Sequence, residues 1–228
     1  MSGPAERPRG SFEPMASLPP YRTERTALCD LFQRVGPDAP TLCEGWDTVD
    51  LATHLVVRER RPLAGPGLVL GGPFRAQLER EMTRTKASTS FDALVAMVRS
   101  GPPAWLRPMD ALFNLSEFFV HHEDVRRGGG DFTPRPEEDV TGLEEALWQS
   151  LRRGGAVMAA RRVRGAGLEL VRPEGERIQA RRGADKATLT GRPGEILLFL
   201  MGRGPAAQVE LTGAPDAVAA VSSAAFGL

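Results

Sequence analysis

The stretch from 113 to 124, Phe-Asn-Leu-Ser-Glu-Phe-Phe-Val-His-His-Glu-Asp, decides how the chain is read. At helical pitch Phe113, Glu117, Val120, His121 and Asp124 share one face, so a carboxylate and an imidazole stand one turn apart on an apolar stripe. Such a pair can grip a divalent ion once a third donor is supplied. The sequence holds three histidines, and the one outside this stretch is His54, in Asp50-Leu-Ala-Thr-His-Leu-Val-Val57. There it falls with Leu51 and Leu55 on the inward stripe of a second helix. If the two helices face each other, His54, Glu117 and His121 make a two-histidine, one-carboxylate set with open positions, the pattern of a reactive rather than a structural metal. The competing reading is a plain surface pair one turn apart. Against it, Glu117 lies on an apolar face, where burial without a partner is costly and a cation removes most of the cost. Asp124 can receive the second ring nitrogen of a ligand histidine. His122, one residue off the face, reads as a helix-surface or pocket-rim residue, with ligation as its alternative.

The chain of 228 residues has room for a sizeable core, in one large domain or a larger and a smaller one. Its 29 basic residues balance 29 acidic ones, so no global field points to nucleic acid or an anionic membrane as partner. With no apolar run near membrane-spanning length and no signal peptide, its two cysteines, Cys29 and Cys43, read as reduced thiols in a cytoplasmic protein. Only Lys86 and Lys186 are lysines among the basic residues, which reflects a GC-rich genome rather than a mechanism.

Residues 1 to 19 carry prolines at 4, 8, 14 and 19 among Gly and Ser, the composition of a disordered leader. Helical periodicity then predicts helices over 21–35, from Asp47 or Thr48 to about Pro62, over 74–86 and 91–99, from about Asp110 to Arg127, and from Val140 into the late 150s despite Gly154-Gly155. The Gly/Pro loop from 63 to 73 is long enough to line or cover a site. From about 161 the period shortens: 168–171, 177–180, 187–190 and 208–212 read as strands, with an apolar helix over 195–201 and a short helix over 216–222. The expected fold class is α+β, an antiparallel helical bundle over 20–160 followed by a small α+β domain over 161–228.

The segments Leu42-Cys-Glu-Gly-Trp46, Asp50-Leu-Ala-Thr-His54-Leu and Glu117-Phe-Phe-Val-His121-His-Glu-Asp124-Val-Arg-Arg127 resemble, in order and spacing, the metal-binding domain of the mycothiol-dependent maleylpyruvate isomerase family, within the DinB-like four-helix-bundle superfamily. The resemblance implies a bundle core that binds a divalent ion, usually zinc, through His54, Glu117 and His121, with water or a thiol in the remaining positions. The tail, with Leu189-Thr-Gly-Arg-Pro-Gly-Glu195, 198–203 and 209–213, is similar to the sterol-carrier-like α+β domain of that family. Within it Arg203 matches an arginine associated with substrate handling, a catalytic candidate beside the alternative of a structural salt bridge.

A zinc ion with an open position lowers the pKa of a bound thiol or water, so the expected activity is isomerisation or thiol transfer on a small electrophile, with mycothiol or a similar low-molecular-weight thiol as cofactor. Its partners are then small molecules, and the protein a monomer or homodimer. A guanidinium such as that of Arg203, in a cleft between bundle and tail, would suit a carboxylate substrate by a bidentate grip. The rival is a non-catalytic module that binds a metal or small ligand, its pocket lined by the apolar 196–201 helix. Cys43 reads as a packed loop residue, Cys29 as core, Trp46 as a packing anchor, and Arg58, Arg60 and Arg61 as a solvated helix end.

Overall fold

The computed structural model describes residues 18–60, 73–104 and 107–227, the side chains of 73–75, 107–113 and 141 excepted. Residues 1–17 of the expected leader and the expected loop up to residue 72 lie outside the described residues. The described chain is α+β, helix-rich with a four-stranded sheet.

Helix α1 spans Pro20–Val35 and buries Leu28, Cys29, Leu31 and Phe32; it ends where Gly36 takes φ 80° and donates its N–H to the Phe32 carbonyl. Helix α2 (Thr48–Arg60) is started by Asp47, whose Oδ1 accepts from the Asp50 N–H at 3.0 Å, while Asp50 Oδ2 accepts from the Asp47 N–H at 3.4 Å. This reciprocal cap satisfies donors that the first turn leaves open. Helices α3 (Pro73–Ser88), α4 (Phe91–Ser100) and α5 (Arg107–Arg126) follow, α4 capped by Ser90, whose Oγ accepts from the Ala93 N–H. Helix α6 (Glu137–Ser150) was expected to run unbroken into the late 150s. Instead Gly154, at φ 127°, interrupts it within a wide turn, Leu151–Gly155, before the short α7 (Ala156–Ala160). Glycine allows this because it lacks the Cβ that disfavours positive φ.

Strands β1 (Gly167–Val171), β2 (Arg177–Arg181), β3 (Lys186–Thr190) and β4 (Glu210–Gly213) stand in the order β2-β1-β3-β4. Strands β1 and β3 are parallel, and the outer pairs are antiparallel. Between β3 and β4 lie α8 (Pro193–Leu198), a wide turn over Phe199–Arg203 and a tight one over Gly204–Ala206; α9 (Pro215–Ser222) closes the chain.

Helix α5 serves two cores at once. Phe118 and Val125 join Leu28, Phe32, Leu51, Leu55 and Leu94 of α1, α2 and α4. Phe119 and Val120, turned about 100° or more around the axis, join Leu147 and Trp148 of α6, Leu168 and Leu189 of the sheet and Ile196 of α8. The polar residues of α5 are thereby held in the seam, and Arg127, just past its end, pins the two halves together. Its guanidinium, 1% exposed, reaches Glu123 at 2.6 Å, Glu195 of α8 at 3.0 Å and the Ala206 carbonyl at 2.6 Å. Removing one member of a buried ionic cluster strands the others in a medium that solvates them poorly. Arg127→Met should therefore lower unfolding stability by about 3–5 kcal/mol in denaturant titration. The double change Arg127→Met with Glu195→Leu should recover part of that loss; a neutral single variant would contradict the pinning role.

Candidate metal centre and its cavity

Helices α2 and α5 face each other as the sequence reading expects, and bring His54, Glu117 and His121 together. Their donor atoms all lie within 4.8 Å of one another. Glu117 Oε1 stands between the two rings, 3.5 Å from His54 Nε2 and 3.2 Å from His121 Nε2. The other nitrogen of His121, Nδ1, lies 2.9 Å from Asp124 Oδ2. A carboxylate behind a histidine in this way fixes the ring orientation and raises its basicity as a ligand.

Burial holds the His54 imidazole below its ordinary pKa, outweighing the hydrogen bond to Glu117, so the ring is neutral and ready to ligate. Burial would push the Glu117 carboxyl up, yet the hydrogen bonds of His121 and His54, with the charges of His121 and Arg58, hold it well below the usual carboxylate range. For His121 burial acts downward and is overcome by the hydrogen bonds of Asp124, Cys43 and Glu117, which raise it well above the ordinary histidine value. The carboxylates of Glu117 and Asp124 on either side thus favour a proton on this ring, and ligation would displace it.

Three placements depart from the sequence reading. Arg58 is not a solvated helix end: its Nε lies 3.1 Å from the same Glu117 oxygen that faces the histidines, and Nη1 donates to Asn114 Oδ1. His122 is not a surface residue; it is buried on the far side of α5, its Nδ1 3.1 Å from Glu24 Oε2, in a cluster with Arg135. Cys43 is not merely packed in a loop. Its Sγ donates to Asp124 Oδ2 at 3.2 Å, and Cys43, His121 and Asp124 form a second close donor group.

The position of Cys43 comes from backbone contacts that no local pattern announces. Leu42 donates its N–H to the Asp124 carbonyl at 3.0 Å, and the Thr41 hydroxyl donates to the Trp46 carbonyl at 2.8 Å, so the loop between α1 and α2 folds over the end of α5. Gly128 makes room for it: a Cβ there would stand 2.0 Å from the Pro40 carbonyl oxygen.

Arg203 also reaches the site. Its Nε and Nη2 donate to Asp124 Oδ1 and Oδ2 at 2.8 and 2.7 Å, Nη1 donates to the Met201 carbonyl at 2.6 Å, and Nη2 lies 3.3 Å from Cys43 Sγ. The bidentate grip foreseen for a substrate carboxylate is closed on Asp124 instead. Asp124 is fully buried; burial raises its pKa, but the bonds from His121 and Arg203 prevail and bring it down to about 2.

Cys43, His54, Glu117, His121 and Arg203 form one wall of a cavity of about 880 Å³. Trp46, its ring centroid 5.2 Å from that of His54, lines it beside Met82 of α3, while Met201, Arg203 and Phe226 close the side nearest the sheet. Of the 196–201 helix, Ile196, Leu198 and Leu200 turn into the core and Met201 alone reaches this cavity.

No family model and no curated protein matches this sequence. Among solved structures, the mycothiol-dependent maleylpyruvate isomerase and a histidine-to-alanine mutant of it each align over 85% of this chain and 90% of theirs. The TM-score is 0.57 and the identity 16% in both cases. That likeness establishes a shared fold.

The two cysteines should separate by chemistry. Cys29 is fully buried, and burial pushes its thiol up to about 11. Iodoacetamide at neutral pH should label Cys43 and spare Cys29 in the folded protein. Gly128→Ala, which forces the loop away from α5, should speed Cys43 labelling severalfold; unchanged labelling would show that the close approach does not hold the loop.

Proposed function

We propose that the protein is a divalent-metal enzyme that uses a low-molecular-weight thiol, mycothiol or one like it, for isomerisation or thiol transfer on a small electrophile. The observation that carries this reading is the convergence of His54, Glu117 and His121 on the wall of a cavity large enough for a thiol and a second small molecule. The donor chemistry fits an ion: two imidazole nitrogens and a carboxylate oxygen, with Asp124 behind His121. Zinc suits this set, and when bound such an ion lowers the pKa of a thiol or water beside it. The fold shared with a mycothiol-dependent isomerase supports the same reading, with a DinB-like bundle and a sterol-carrier-like tail as its two parts and the cytoplasm as its compartment.

The chain's own groups supply the rest. Asp124 orients His121, Arg203 fixes Asp124, and Trp46 packs against His54, so each candidate donor is set before any ligand arrives. Trp46, Met82 and Phe226 give the cavity an apolar wall against which the carbon skeleton of an electrophile can pack.

One observation favours a second reading, a non-catalytic ligand-binding module. Arg58 already places positive charge on the Glu117 oxygen that an ion would need, and the group is internally compensated without one. Metal analysis of untagged protein decides between them. The enzyme reading expects about one ion per chain in the wild type, lost in His54→Ala and His121→Ala, with uptake that strengthens as pH rises because His121 must shed its proton. It further expects thiol-dependent turnover of at least one member of a panel of small electrophiles. Equal and low metal in all three proteins, with no thiol-dependent turnover, gives the site to the binding module.

A further inference from the structure

The cations that line the cavity differ in what already holds them. Lys86 lies 2.5 Å from Asp50 Oδ1, and Arg203 is spent on Asp124 and the Met201 carbonyl. Arg162 has a single partner among the described residues, the Ala225 carbonyl, to which Nη1 donates at 2.8 Å. Arg162 is otherwise exposed, lines the cavity, and has donors left on its guanidinium for a ligand. Its backbone is well held, because Ala160 and Val163 on either side are buried in the core shared by α7 and the sheet. An arginine on a fixed backbone, with unused donors, is suited to a planar oxyanion.

The acids of the lining do not cancel it. Asp50 is neutralised by Lys86 and Glu117 by Arg58, while Glu44 and Glu79 are, like Arg162 itself, exposed, and neither is hydrogen-bonded to it. We propose that Arg162, and not Arg203, recognises a carboxylate on the ligand that occupies this cavity, and so sets its specificity for anionic compounds. This deepens the reading of the cavity as the ligand site, yet it needs neither a bound ion nor turnover.

The test uses the full chain and the thiol on the cavity wall as reporter. Alkylation of Cys43 by iodoacetamide, followed by peptide mass, is measured with increasing succinate or with its uncharged isostere succinamide. Succinate should slow alkylation in the wild type and succinamide should not. Arg162→Gln, which can still donate to the Ala225 carbonyl, should raise the succinate concentration needed by about five- to tenfold, and Arg162→Lys should restore part of the effect. Equal protection in wild type and Arg162→Gln, equal protection by succinamide, or no protection of the wild type by succinate overturns the proposal. Metal content read on the same samples keeps the two ideas apart: protection that depends on Arg162 in protein unable to take up an ion would leave this subsite standing and remove the metal reading.

Discussion

The fully buried carboxylate of Asp124 is the interaction on which the rest of the site depends. A charge in that position is tolerated only when donors surround it, and here they come from three separate parts of the chain: His121 one turn back on α5, Cys43 from the loop before α2, and Arg203 from the region between β3 and β4. The requirement to satisfy one carboxylate therefore sets the orientation of His121, closes the loop over the end of α5 and brings the C-terminal region against the helices. The cavity is the space left between the parts so assembled.

The same logic explains why the polar side chains of α5 lie where they do. A helix packed against one core can leave its opposite face to solvent, whereas α5 has apolar neighbours on both sides and must pair its charged groups internally. Glu117 and His121 do so toward α2, His122 toward Glu24 of α1, and Glu123 toward Arg126, Arg127 and Arg135. Besides the two histidines, Glu117 is paired on this side with the Arg58 guanidinium.

Much of this was legible in the sequence, for a local reason. Spacings of three and four mark α1, α2, α4 and α5, and the same arithmetic places Glu117, His121 and Asp124 on one stripe, so three site residues follow from helix geometry alone. What was missed is non-local. Cys43 reaches the site because Gly128, some 85 positions away, lets the backbone of Pro40 approach. The sequence reading puts His122 at the helix surface or pocket rim because it stands one residue off the face of Glu117 and His121; the unbroken run Phe118-Phe119-Val120, apolar right round the axis, is the sign that α5 has a second buried face. The position of Arg58 near a helix end suggests a solvated side chain, and no pattern within α2 can reveal the carboxylate of Glu117 opposite it.

The central claim, that His54, Glu117 and His121 hold a divalent ion with a position left for a thiol, is tested most directly by the visible absorption of Co2+ bound to chelator-stripped protein. The account predicts saturable binding of one Co2+ per chain, abolished by Glu117→Gln, and a new sulfur-to-cobalt charge-transfer band when a low-molecular-weight thiol is added to the Cys43→Ser variant. Cobalt binding that survives Glu117→Gln and His54→Ala unchanged, or a spectrum indifferent to added thiol, would contradict it.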